Sequence, residues 1–261
     1  MMKVVILCGG KGTRLQNETE FRPKPMLPIG ERPILWHIMK TYSHYGFNEF
    51  VLCLGYKGEM IKEYFRNYLW NICDTTLCLG RDPKAEFHTM HNEEGWKVTL
   101  ADTGEDSPTG DRVYRIRKYL DADDTFLLTY GDGVGNIDIP ASIRFHQEKG
   151  KICTVTAVHP PGRFGELSLN DDSTVCGFNE KPQTESGYIN GGYMVCSRSL
   201  FRYLEGPTGV ILEEEPLQKL AAEGQMAAYK HEAFWQPMDT YREFLLLNNL
   251  WNGGNAPWKV W

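Results

Sequence analysis

Lys3-Val4-Val5-Ile6-Leu7-Cys8-Gly9-Gly10-Lys11-Gly12-Thr13-Arg14-Leu15 opens the chain, and its reading decides the fold. The first six residues form an apolar run of strand length and composition. A buried strand that feeds a glycine-rich turn lets the backbone approach a phosphate closely, because glycine carries no Cβ and reaches positive φ cheaply. Successive backbone N–H groups in such a turn make an anion-binding concavity. Lys11, Arg14 and, after a tract punctuated by Pro23, Pro25 and Pro28, Lys24 place three cations within reach of one loop. A turn that merely joined a strand to a helix would account for the glycines and leave the cations unexplained.

The loop matches neither of two familiar phosphate binders. No G-x-x-x-x-G-K-[ST] string occurs, so it is not a P-loop. In a dinucleotide fingerprint Gly10-Lys11-Gly12 would need a third glycine, where Thr13-Arg14-Leu15 follow instead. A nicotinamide-binding strand also needs an acidic residue closing the second strand, and that strand runs into Gly55-Tyr56-Lys57.

Outward from this loop the chain alternates. Helices are predicted over 33–42 and 60–68, with a strand over 50–54 between them, the rhythm of a parallel sheet with helical crossovers. Three short strands over 75–79, 86–90 and 98–101 break the rhythm and could be antiparallel additions at one edge. A helix over 112–119 carries Arg112, Arg115, Arg117 and Lys118, most of them read as a solvated face. A strand over 126–130 ends on Gly131-Asp132-Gly133, and ligands of open α/β sheets gather at such carboxyl ends. Helix 140–149, strand 153–158, a hairpin from 165–169 and 175–178, a strand opening near 189–193 and helices to 222 and over 241–251 complete the order. Glu213-Glu214-Glu215, ahead of Pro216, suits a helix dipole without a ligand. Asp239-Thr240 ahead of the last helix reads from the residues alone as an N-cap. Trp251, Trp258 and Trp261 leave an aromatic end suited either to a contact between copies or to the protein's own core.

Composition bounds the function. The 261 residues, 41% hydrophobic and 24% charged, suit one large soluble α/β domain, and a formal charge of -6 argues against an extended nucleic-acid footprint. No apolar stretch approaches membrane-spanning length, which places the protein in the cytoplasm by expectation. Seven cysteines give no disulfide framework, and Cys73, Cys78, His88 and His91 do not have zinc spacing.

Gly9-Gly10-Lys11-Gly12-Thr13-Arg14-Leu15 with Pro23-Lys24-Pro25 resembles the G-G-x-G-T-R-L … x-K-P signature of the sugar-1-phosphate nucleotidylyltransferases. Pro33-Ile34-Leu35-Trp36-His37-Ile38-Met39, Gly131-Asp132-Gly133 and Phe234-Trp235-Gln236-Pro237-Met238-Asp239-Thr240 narrow it to the glucose-1-phosphate cytidylyltransferases, over essentially the whole chain. The resemblance implies a Rossmann-like mixed, mostly parallel central sheet flanked by helices, with a small added β region. It implies one nucleotidylyltransferase domain, the nucleotide side lying within about 1–135 and the sugar-phosphate side within about 136–261. The implied partners are CTP or another nucleoside triphosphate and a sugar 1-phosphate, with Mg²⁺ as cofactor and a homo-oligomeric assembly.

The same resemblance assigns roles. Arg14, Lys24 and Asp132 are catalytic. Leu7, Cys8, Gly9, Gly10, Lys11, Gly12, Thr13, Arg14, Lys24, Thr109, Gly110 and Gly131 bind the nucleotide. Glu180, Lys181 and Asn190 meet the sugar phosphate, and Asp132 with Asp239 holds the metal. Two departures stand out: Cys8 in place of a small Ala, and Leu212 where the family pattern Trp-Glu-x-Glu-Pro-Leu has Trp. The second leaves the identity of the sugar open.

Overall fold

The computed structural model describes residues 2–12, 15, 19–81, 83–88, 95–120, 124–160, 162, 166–170, 174–179, 187–206 and 208–261, with the backbone alone at 166–169 and 177–179. The elements run β1 (Val4–Leu7), β2 (Pro28–Ile29), β3 (Arg32–Pro33), α1 (Ile34–His44), β4 (Glu49–Leu54), α2 (Gly58–Arg66), α3 (Tyr68–Ile72), β5 (Asp74–Cys78), β6 (Lys84–His88), β7 (Lys97–Asp102) and α4 (Thr109–Arg115). They continue through β8 (Thr125–Tyr130), β9 (Gly133–Gly135), α5 (Ile139–Lys149), β10 (Cys153–Val158), β11 (Glu166–Leu169), β12 (Val175–Asn179) and β13 (Ile189–Ser197). The last four are α6 (Glu215–Ala222), β14 (Met226–His231), β15 (Trp235–Pro237) and α7 (Tyr241–Asn252).

Seven strands form one sheet in the order β14-β10-β13-β8-β1-β4-β7. Every strand is parallel to its neighbour except β13, which runs antiparallel to both β8 and β10. This is the mixed, mostly parallel sheet expected. β1 lies near the middle because all four of its residues are apolar and buried, Val4 and Ile6 packing on one face and Val5 and Leu7 on the other. The chain leaves β1 toward β4 on one side and returns to β8 on the other. The carboxyl ends of β1 and β8 therefore flank a point where the winding reverses, the natural place for a ligand in such a sheet.

One expectation changes, one strand goes unforeseen and one open choice is decided. The strand expected over 98–101 is not an antiparallel addition but β7, a parallel edge strand paired in register with β4; only β5 and β6 form a separate antiparallel hairpin. β14, missed in the sequence because its alternation is weak, extends the other edge of the sheet. The tryptophan-rich end packs on the protein's own core: Trp258 is fully buried, and Trp251 and Trp261 lie against the same cluster. Among the described residues no helix is long and apolar enough to cross a membrane.

His37 is the polar centre of that aromatic cluster. Its Nε2–H donates to the Ile29 carbonyl at 3.0 Å, and its Nδ1 accepts from Trp258 Nε1 at 3.3 Å. Trp251 meets its ring edge-on with centroids 4.5 Å apart. Burial lowers its pKa from 6.5 to about 4. Between those two pH values the unfolded chain takes up a proton that the folded protein refuses. The stability this site contributes is therefore complete above pH 6.5 and is lost as pH falls toward 4, about 3 kcal/mol in all. The thermal midpoint is expected to fall across this window more steeply in the wild type than in His37→Gln, whose amide keeps one donor and one acceptor without titrating. Equal slopes in the two proteins would refute the assignment.

A candidate active site at the carboxyl ends of β1 and β8

The glycine loop leaves β1 under tight control. Gly12 has φ +61, a conformation that glycine takes without strain. Gly9 is glycine for a different reason: a Cβ there would collide with the guanidinium of Arg112. Gly10 faces open space. Arg112, on the buried side of α4, donates to the carbonyls of Gly9 (3.0 Å), Leu54 (3.0 Å), Gly104 (2.7 Å) and Glu105 (2.9 Å) and to the Thr103 hydroxyl (2.9 Å). One guanidinium thus ties the ends of β1, β4 and β7 to one another. Burial presses its pKa down, and no carboxylate pairs with it among the bonds described. Its neighbours on 112–119 are the solvated face expected, and Arg112 is the exception. Nothing in the local sequence sets it apart from Arg115 and Arg117.

Lys24 stands at the centre of the site. It opens a single 3-10 turn, Lys24–Met26, with Pro25 fixing the backbone and the Leu27 N–H closing it on the Lys24 carbonyl at 3.0 Å. Its ammonium contacts Asp132 Oδ2 at 2.6 Å and also Asp239 Oδ1, with only 12% of the side chain exposed. Burial works against its charge, but the two carboxylates outweigh it and the pKa ends raised.

Asp132 follows the end of β8, where Gly131 N–H donates to the Leu7 carbonyl at 3.0 Å. A Cβ on Gly131 would crowd that carbonyl and Pro25, so glycine is required for the approach. Asp239 arrives through the two-stranded ladder of β9 and β15, in which Pro237 pairs with Gly133, and the Met238 N–H donates to the Asp132 carbonyl at 2.8 Å. Asp239 is not the cap of the last helix. Thr240 is, in a capping box with Glu243, while the Asp239 N–H also donates to Glu243 Oε2 at 2.6 Å. The Asp239 carboxylate faces Lys24.

A cavity of about 440 Å³ opens here. Of the residues singled out in the sequence, Leu7, Cys8, Gly9, Gly10, Gly12, Lys24, Thr109, Gly131, Asp132 and Asp239 line it. Lys11 does not; it reaches across to Asp106 at 2.8 Å on the exposed rim. Gly110 does not either, being packed under the Val210 carbonyl, to which its N–H donates at 3.0 Å. Asn190 lies beyond Asp132 in a smaller adjoining cavity, its side chain accepting from the Gly192 N–H at 2.9 Å. Thr13, Arg14, Glu180 and Lys181 lie outside the described residues. Burial pushes the Cys8 thiol well up, so it stays a neutral wall atom beside the loop. Sequence reasoning missed Ser107, Arg112 and Tyr130 on the larger cavity and Trp235 on the smaller.

The carboxylate pair suits a hard cation such as Mg²⁺, which is held by one or two carboxylates and completes its shell with waters and substrate phosphates. Asp132 and Asp239 already converge on one positive charge. Among the described residues no group of three or more His, Cys, Asp and Glu side chains is placed to hold a metal ion.

A phosphate-type loop, a lysine and two carboxylates at the switch point of this sheet agree with the family comparison, in which residues 3–249 match the nucleotidyl transferase model. The chain belongs to that family. It is 48% identical to the glucose-1-phosphate cytidylyltransferases of Salmonella typhimurium and Salmonella typhi, covering 100% of this chain and 100% of each relative. HddC from Yersinia pseudotuberculosis has the same fold, with a TM-score of 0.68 and 23% identity over 96% of this chain and 100% of that one.

Arg112→Lys keeps the charge but loses the forked donors, taking from the Gly104 and Glu105 carbonyls their Arg112 bonds and from the Gly9 and Leu54 carbonyls one of their donors. It is expected to cost about 2–4 kcal/mol of stability in urea denaturation and to weaken nucleotide binding in calorimetric titration. Unchanged stability would contradict the tie between β1, β4 and β7.

Proposed function

We propose that the protein transfers a cytidylyl group from CTP to a sugar 1-phosphate, with α-D-glucose 1-phosphate the favoured acceptor, and releases pyrophosphate. Its likeness to glucose-1-phosphate cytidylyltransferases over full length supports this choice of base and sugar. The observation that carries the chemistry is the convergence of Lys24, Asp132 and Asp239 beside the glycine loop.

An oxygen of the sugar phosphate attacks the α-phosphorus in line. A new P–O bond forms to the sugar phosphate as the bond to pyrophosphate breaks, and the leaving group carries away the electron pair. The nucleophile is already an anion, so no base is needed. What must be overcome is repulsion between two anions and charge growing on the leaving group, the task of positioned cations and N–H donors.

The backbone of Gly9 to Gly12 cradles the triphosphate in this reading, and Lys24 turns from the carboxylates to the α-phosphate. Asp132 and Asp239 hold Mg²⁺, which when bound neutralises phosphate charge. Arg14 on the β- and γ-phosphates, Lys181 on the sugar's phosphate, and Glu180 with Asn190 on sugar hydroxyls complete the assignment. Thr109 faces the base and ribose, and Gly110, packed under the Val210 carbonyl, supports it from behind. The nucleotide side draws on residues within 1–135 and the acceptor side on Asn190 and its neighbours, with Asp239 crossing between them. A noncatalytic nucleotide-sugar-binding subunit would be expected to shed some of these charges, and Arg14, Lys24, Asp132, Lys181 and Asp239 are all present.

Pyrophosphate release, measured with Mg²⁺ across CTP, UTP, dTTP, ATP and GTP against a panel of sugar 1-phosphates, is expected to be strongest with CTP and glucose 1-phosphate. Strong release with another pair moves the base or the sugar, and no release with any pair overturns the catalytic reading. Asp132→Ala is expected to lower turnover by roughly 10²-fold or more while the fold persists, since it removes half of the carboxylate pair. An unchanged rate would refute its role as a metal ligand.

A further inference from the structure

Tyr130, the last residue of β8, stands between two cavities. It lines the large one together with Thr109, and it lines the small one, of about 50 Å³, together with Asn190 and Gly192. The wall between them is built with care on both sides of the ring. Gly192 has φ +78, and a Cβ there would run into the Tyr130 ring, so the ring lies directly on backbone. That glycine sits in a bulge of β13, where the pairing with β10 shifts between Val155 and Ala157. Such bulges re-aim side chains next to binding sites.

The hydroxyl of Tyr130 donates to Glu213 Oε1. The other oxygen of the same carboxylate, Oε2, accepts from the Thr109 hydroxyl at 2.5 Å, and Thr109 Oγ1 in turn accepts from the Leu212 N–H at 2.9 Å. Around this point the strap 209–213 is sewn to the start of α4. Gly209 and Val210 N–H groups donate to the Asp111 carboxylate at 2.8 and 3.0 Å, and the Val210 carbonyl accepts from Gly110 and Asp111. Read in the sequence as one dipole-matched run, the three acids divide in the structure: Glu215 opens α6, Glu214 precedes it, and Glu213 turns toward the cavities.

The geometry points to Glu213 as a positioning residue that couples the nucleotide and acceptor subsites by holding Thr109 and Tyr130 at once, the Tyr130 ring being the partition that sets the size of the acceptor cavity. The assignment rests on the proposed transfer, which makes one cavity the nucleotide's and the other the acceptor's. Carboxylate-accepted hydrogen bonds are the stronger kind, so one side chain suffices to fix both walls. Loss of the carboxylate frees the hydroxyl end of the partition and the Thr109 side chain together. Binding at both subsites then loosens, although Glu213 touches neither reacting group.

Steady-state kinetics with each substrate varied in turn test this in Glu213→Ala, Glu213→Gln, Tyr130→Phe and the double variant Glu213→Ala/Tyr130→Phe, alongside thermal unfolding. Glu213→Ala is expected to raise the KM of both substrates, each by about tenfold, with a smaller fall in kcat. Glu213→Gln keeps one of the two acceptor oxygens and is expected to recover part of the loss. Tyr130→Phe alone is expected to raise chiefly the acceptor KM and to add nothing to it once Glu213 is Ala, because both changes break one bond. Additive effects, an unchanged KM for either substrate, or a fall in thermal midpoint that Glu213→Gln shares would overturn the positioning role. A wild type that turns over no nucleotide and sugar-phosphate pair overturns the transfer itself and the subsites with it. Turnover that is indifferent to Glu213 overturns the coupling alone.

Discussion

Two carboxylates held side by side repel each other, and Lys24 answers that repulsion. Its ammonium lies between Asp132 and Asp239 with little access to water. Burial works against the ammonium, the two carboxylates outweigh that cost, and its pKa ends raised. The pocket is therefore built for a positive charge whether or not a substrate is present. In the proposed reaction Asp132 and Asp239 would hold a divalent cation that supplies charge neutralisation, and Lys24 would be left to face the phosphates.

The rest of the fold can be seen as what this convergence requires. Lys24, Asp132 and Asp239 come from three distant stretches, and each is delivered by a short, specific device. Lys24 sits on one 3-10 turn locked by Pro25, Asp132 on the end of a central strand, and Asp239 on the end of the β9 and β15 ladder. The Thr240 cap matters as much as the ladder, because it satisfies the start of α7 without using the Asp239 side chain. On the other flank Arg112 does for backbone what Lys24 does for side chains. It gathers the carbonyls of three strand ends around one delocalised cation, and the glycines at 9 and 55 leave room for it.

Much of this was legible in the sequence because it is local. β1, its glycine loop and the Gly131-Asp132-Gly133 strand end follow from apolar runs broken by glycine, and the sheet from the alternation of runs. What escaped was long-range. Nothing local distinguishes Arg112 from Arg115 and Arg117, since its burial depends on carbonyls at residues 9, 54, 104 and 105. Asp239-Thr240 reads as a cap from either residue, and only Glu243 at the third helical position picks Thr240. Glu213 looked like part of an acidic run because its partners, Tyr130 and Thr109, lie about a hundred positions earlier. The β7 strand was placed at the edge where it lies but given the wrong direction, because strand direction is a property of the assembled sheet rather than of the segment.

Leu212 shows how a departure from a family pattern can act at a distance. Its side chain is fully buried among Val113, Leu200, Leu217 and the neighbouring core, and it lines neither the larger nor the smaller cavity. A residue in that place cannot read a sugar by touching it. Its backbone N–H, however, donates to the Thr109 hydroxyl, and the next residue is Glu213. A larger ring at 212 would need more core volume and would shift the strap that carries both contacts, because close-packed interiors pass such strain along instead of absorbing it. In the proposed transfer, any influence of this position on the acceptor would come through how the strap sits on the core, one step removed from the ligand.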